Sequence, residues 1–200
     1  MKKLNNFKVA RVISDIFIPI TFSAFMSLYL PSNFSINKSD FLKYFSLIFL
    51  STVFIPLLYF LYKRKQGKII NRDAVIKEER NDVYLMSILI FSLAYIVSVV
   101  AQFPVFIQIY LLNFSLSTIG VYFINKKIKI SIHSMTASGT AAFLILLNPL
   151  LSVLFFVITL VIMWSRVTLG VHSIREVIYG MIYGFCVTLF VTMMVLKYAA

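Results

Sequence analysis

The sequence predicts an all-α fold, a polytopic transmembrane helical bundle of about seven spans (six to seven). Three observations carry that expectation. The 200 residues are 60% hydrophobic and the mean hydropathy is +0.93. A soluble domain is about 45–50% apolar and would have nowhere to hide the excess. The apolar residues fall in blocks of about the 20 residues a helix needs to cross a bilayer. Within these blocks apolar and polar residues do not alternate, as the strands of a membrane barrel require.

The first block covers about residues 12–30, after a basic stretch with Lys2, Lys3, Lys8 and Arg11. It is too long for a signal-peptide core and no small-x-small cleavage site follows, so it reads as an uncleaved first span. Asp15 lies in its first turn, within reach of interfacial water or Arg11. A polar loop at 31–40 leads to a second span at about 42–62. A long hydrophilic loop over 63–82 opens with Lys63-Arg64-Lys65. The third span covers about 84–102, Pro104 makes the turn, and the fourth covers about 105–124 and ends at Asn125-Lys126-Lys127. There is no internal repeat, and residues 1–200 read as a single integral membrane domain.

The stretch 133–164 decides the topology. As one helix it would be about 48 Å long at 1.5 Å per residue, too long for an ordinary crossing. Asn148-Pro149 falls at its middle, and such a pair favours a turn. The expectation is two short helices, about 133–147 and 150–164, each about 22 Å long, with a last span at about 177–196. The loop 63–82 and the segments 125–133 and 165–176 then share one side of the membrane. If Asn148-Pro149 were only a kink, the two histidines of the chain would face opposite sides.

There are 19 basic and 7 acidic residues, a net charge of +12. Two readings compete: a positive-inside bias with attraction to anionic headgroups, and a phosphate site. The N-terminus and the three shared-side segments hold most of the lysines and arginines. The rule therefore expects a multi-pass protein of the cell membrane with that side in the cytoplasm. Nucleic acid is not an expected partner, because no basic soluble domain exists to carry it. Cys186 is the lone cysteine, no Cys/His cluster has zinc spacing, and the carboxylates are few and scattered. The reading is chemistry with no metal and no cofactor.

Two stretches hold the candidate chemistry. Lys129-Ile130-Ser131-Ile132-His133 precedes the fifth helix, and Ser165-Arg166 is followed by His172 and Glu176. Cleaving a phosphate monoester without metal needs an in-line nucleophile, cations and N–H donors on the equatorial oxygens, and an acid for the leaving alkoxide. Histidine serves as nucleophile or acid because it titrates near neutrality, and a carboxylate on its other ring nitrogen fixes the tautomer. His172 and Glu176 share a face if the last helix begins at about residue 171. His133 stands at a helix N-terminus, which attracts anions. Against this stands the plainer reading for each residue alone: Arg166 snorkelling to headgroups, and Lys126, Lys127 and Lys129 as an ordinary cytoplasmic flank.

Ser165-Arg166, five residues, His172, three residues, Glu176 resembles the third signature of the type 2 phosphatidic acid phosphatase and vanadium haloperoxidase superfamily, Ser-Arg-x5-His-x3-Asp. Lys129 to His133 resembles a divergent form of its second signature, Pro-Ser-Gly-His. Lys77-Glu78-Glu79-Arg80-Asn81 is a weak echo of the first, Lys-x6-Arg-Pro, with altered lysine spacing and no proline. The motif-bearing part covers 77–177. The resemblance implies a nucleophilic His172 forming a phosphohistidine, Glu176 orienting it, and His133 as the acid that then activates water. It implies phosphate binding by Arg166, Arg80 and Ser131, together with Lys77 or Lys129. Glu176 replaces Asp, and Ile132 replaces Gly, where a left-handed backbone would be costly. Two spans separate the first and second signatures, farther apart than is usual in the family.

The expected function is hydrolysis of a lipid phosphomonoester or polyprenyl (di)phosphate, with membrane lipids as surroundings. Phosphatidate, phosphatidylglycerol phosphate and a lipid A phosphate are further candidates. The alternative is a non-catalytic lipid-phosphate binder or transporter. Nothing in the sequence specifies an oligomeric state.

Overall fold

The computed structural model describes residues 2–70, 73 and 76–199, with side chains from residue 5 to 198. Among them are nine α-helices and no strand: α1 (Lys2–Ile16), α2 (Pro19–Phe34), α3 (Lys38–Phe49), α4 (Ile55–Lys65), α5 (Asn81–Val100), α6 (Val105–Lys127), α7 (Ile132–Leu144), α8 (Pro149–Thr168) and α9 (Ile174–Ala199). Five helical stretches are long and apolar enough to cross a membrane, and a bent pair makes a sixth. The protein is a multi-pass helical membrane protein. Between 22% and 50% of each span window is buried, so most of the apolar surface is left to face lipid.

The expected first span is that bent pair, α1 and α2, which meet at 43°. Pro19 is the reason: it has no N–H for the ladder and pushes Ile18 away from helical dihedrals. The second span is α3 and α4 joined through a π turn at Leu50–Phe54. Pro56 again removes a ladder donor, and the Ile55 N–H bonds the Leu50 carbonyl five residues back. Asn148 and Pro149 split the 133–164 stretch, as the sequence predicts. The Asn148 side chain accepts from Leu151 N at 3.1 Å and caps α8. At 13 residues, α7 is shorter than the helices that qualify as spans by length. The count is six without it and seven with the α7–α8 hairpin taken as a down-and-back pair, the range expected, and the hairpin returns Val171 to Lys129. The turn between α5 and α6 is set by Gln102, whose φ is +53. Phe103 N there bonds Ser98 O, closing the end of α5.

The chain divides into two compact units. One comprises residues 1–22 and 127–193 and the other 23–126 and 194–200. In the second, Phe91 packs edge-on to Phe114, and Phe34 stacks on Phe106. Ser92 and Ser115 share a 2.7 Å hydrogen bond, and Lys63 pairs with Asp82. In the first, α7 and α8 form a hairpin in which Ser152 Oγ donates to Ala141 O at 2.8 Å. Small residues bring α7 and α9 together. A Cβ on Gly180 would lie 2.5 Å from Ser131 O, and one on Gly184 would lie 2.1 Å from Met135 O. Backbones this close need glycine, as in other small-x3-small crossings between membrane helices.

Candidate active site

The last turn of α8 carries Ser165 and Arg166, both buried, Arg166 to 1% exposure. A buried guanidinium needs partners. Ser165 Oγ donates to Ala10 O at 2.6 Å, and Arg166 Nη1 donates to Ser14 Oγ at 2.6 Å. The helix then ends. Gly170 adopts φ +68, a conformation open to glycine at little cost. The chain reverses there, and the His172 amide returns to Arg166 O at 3.4 Å. The five residues between Arg166 and His172 are therefore a helix end and a turn, and they set the two side by side.

Next, α9 begins at Ile174, later than the start at about 171 that a shared helical face for His172 and Glu176 would need. Ser173 explains the difference, because its Oγ accepts from Glu176 N at 3.3 Å and caps the helix. His172 thus precedes the helix, and Glu176 in the first turn reaches back to it. His172 Nδ1 and Glu176 Oε2 are 2.6 Å apart, with the histidine side chain 1% exposed.

The segment before α7 closes on the same place. Lys129 Nζ donates to Val171 O at 2.8 Å and lies 3.7 Å from Glu176 Oε2. The Ser131 amide donates to Glu176 O at 3.1 Å. Ser131 Oγ caps α7, accepting from Ser134 N at 3.4 Å and from Ser134 Oγ at 3.1 Å. His133, half-buried, is in the first turn of that helix. Ile132 is its first helical residue, and among the described residues a positive φ occurs at Gln102, Gly67 and Gly170. The backbone here makes no demand for glycine, so the isoleucine is accommodated.

The cluster therefore gathers two cations, Lys129 and Arg166, and a carboxylate engaged by a histidine, beside two helix N-termini. This is a setting for an anion. Among the described residues, no three of His, Cys, Asp and Glu group as metal ligands.

A family model described as the PAP2 superfamily matches residues 20–199. The chain belongs to the PAP2 superfamily. Comparison with curated proteins and with solved structures gives no match. Membership in the PAP2 superfamily supports a phosphatase-type hydrolase acting on phosphate esters.

Of the residues singled out in the sequence, Lys129, Ser131, Arg166, His172 and Glu176 are joined by direct contacts in the first unit, and His133 follows two residues after Ser131. Arg80 and Lys77 lie in the second unit. Arg80 is buried in the short 3-10 turn that leads into α5. Lys77 Nζ donates to Lys126 O at 3.1 Å, and Asn125 Nδ2 donates to Lys77 O at 2.8 Å. These bonds tie residue 77 to the end of α6.

Two features escape the sequence reading. On α1 the sequence draws attention to Asp15, which pairs with Arg11 at 3.8 Å, but the neighbouring Ser14 is what holds Arg166. A contact across 152 residues leaves no local signal. The small-residue stripe Gly180-x3-Gly184-x3-Thr188 on α9 is visible in the sequence, and it seats α7 with Ser131 and Gly139 against it.

Proposed function

We propose that the chain hydrolyses a phosphate ester or anhydride on a membrane lipid through a phosphohistidine, without a metal ion. The observation that carries this reading is the buried 2.6 Å contact of His172 Nδ1 with Glu176, beside Arg166. With Nδ1–H held by the carboxylate, Nε2 keeps the lone pair and is the attacking atom. As Nε2 bonds to phosphorus, the bond from phosphorus to the lipid oxygen breaks. His133 gives its proton to the departing alkoxide. Neutral His133 then takes a proton from water, the hydroxide displaces His172 from phosphorus, and inorganic phosphate leaves.

Arg166 holds the equatorial oxygens, where charge spreads in the transition state. Ser131 and the first N–H groups of α7 complete the anion-facing side. Lys129 steadies Glu176 and the Val171 carbonyl and adds positive potential. Arg80 and Lys77 are carried in this reading as further phosphate ligands, on the weak first signature alone. The lipid surroundings of the spans support a lipid-borne substrate, and the basic residues on the site side support a cytoplasmic orientation.

The test is release of inorganic phosphate from lipid phosphates in detergent with no added metal. Wild type should turn over, and His172→Ala should lose at least about a thousandfold in kcat, as nucleophile deletions do. Full activity in His172→Ala would sink the mechanism. Binding of the lipid phosphate without turnover by wild type would favour the non-catalytic alternative.

A further inference from the structure

The region matched by the family model begins at residue 20, after α1 has ended at Ile16. Yet α1 makes two of the shortest side-chain contacts at the candidate site. Ser165 Oγ donates to Ala10 O and Arg166 Nη1 donates to Ser14 Oγ, each at 2.6 Å. Ser14 and Arg166 are both 1% exposed, and Ala10 and Ser165 are fully buried. Ala10 and Ser14 are four residues apart, on one face of α1. That face thus receives two consecutive residues of α8.

We propose that Ser14 is a positioning residue of this site: it sets the plane of the Arg166 guanidinium, and α1 is part of the catalytic unit of this chain. The inference rests on the reading of the site as a phosphate site. Its physical basis is the rigidity of the fork. A guanidinium is planar, with its N–H donors at fixed angles. Fixing one Nη by a short bond, on a side chain whose neighbour Ser165 is also pinned, sets where the remaining donors point. A phosphoryl group in transit requires its oxygens to be met at set positions, and small misplacements of such donors cost rate steeply. Packing alone does not require the hydroxyl, because a methyl group would fill the same space.

The experiment compares Ser14→Thr with Ser14→Val in the full-length protein in detergent. The two side chains have the same shape and differ in the hydroxyl, so any packing disturbance is common to both. Phosphate release, orthovanadate affinity by calorimetry and thermal unfolding are measured on the same preparations. Ser14→Thr should stay near wild type. Ser14→Val should lose about 10- to 100-fold in kcat/KM, the scale of one hydrogen bond to a charged group, mostly in kcat. Its vanadate affinity should fall with it, and its unfolding temperature should lie below that of the threonine variant, because the buried guanidinium loses a partner. Turnover and affinity are therefore compared on the folded protein. Ser14→Ala supplies the same comparison if the valine variant does not fold.

Equal turnover and equal vanadate affinity in the threonine and valine variants would overturn the inference, and so would a loss of thermal stability with unchanged vanadate affinity. If wild type binds vanadate but releases no phosphate, the hydrolase reading fails and the Ser14 assignment stands or falls on the vanadate affinities. If wild type does neither, both readings fall.

Discussion

At the scale of single residues, the site depends on how one carboxylate reaches one imidazole. Glu176 has to turn back across the start of α9 to meet His172 at 2.6 Å, because Ser173 caps the helix between them. The longer arm of glutamate, where the family signature has aspartate, fits that backward reach. Glu176→Gln keeps the length but no longer stabilises an imidazolium, and it permits the wrong tautomer. It should lower kcat by about 10²–10⁴-fold with little change in KM, measured by steady-state phosphate release. Wild-type kcat in this variant would remove Glu176 from the mechanism. The histidines, Arg166 and Glu176 were legible as a set because few other ionisable residues interrupt the apolar blocks around them. Ser14 was not, since a serine in an apolar helix carries no mark of a partner 152 residues away.

At the scale of elements, the approach of α7 to α9 brings the segments carrying His133 and His172 together. Gly184 permits it, since a Cβ there would lie 2.1 Å from the Met135 carbonyl oxygen. Backbone cannot yield as the end of a flexible side chain can. Gly184→Ala should therefore destabilise the protein by about 1–3 kcal/mol, the usual cost of overpacking, and phosphate release should fall in the folded fraction. Thermal unfolding in detergent checks the first and a tryptophan-normalised rate the second; unchanged values for both would contradict the close crossing. The hinge at Asn148-Pro149 was readable because proline and an Asx cap mark a helix start. The bend at Pro19 and the π turn before Pro56 were not, because each proline sits inside a long apolar block that reads as one span. Contact between His172 and Glu176 does not need a helix start at 171, because Ser173 caps α9 and Glu176 in its first turn reaches back.

At the scale of the whole molecule, apolar length and charge bias fix the kind of protein and suggest its orientation. The stretches 128–131 and 171–173, which adjoin the candidate site, belong by span counting to the basic side, and the short loop after α2 belongs to the other. Ile36 is exposed in that loop and Ile128 is half-exposed after α6. In a Cys186→Ser background, Ile128→Cys should react with a membrane-impermeant maleimide in inside-out vesicles but not in intact cells. Ile36→Cys should do the opposite. The reverse pattern would invert the orientation, and labelling of both from one side would break the span count. The apolar blocks made the membrane class legible, but the division into two compact units was not, because periodicity reports which residues are apolar and not which helices pack together.

The proposed hydrolysis passes through a covalent phosphate on His172. The most direct measurement is rapid quenching of the enzyme during turnover of a lipid phosphate, followed by mass spectrometry under conditions that preserve phosphohistidine. Wild type should yield an acid-labile phosphate on the peptide containing His172, absent from His172→Ala. Phosphate on another residue, or turnover in which His172 is never modified, would contradict this route.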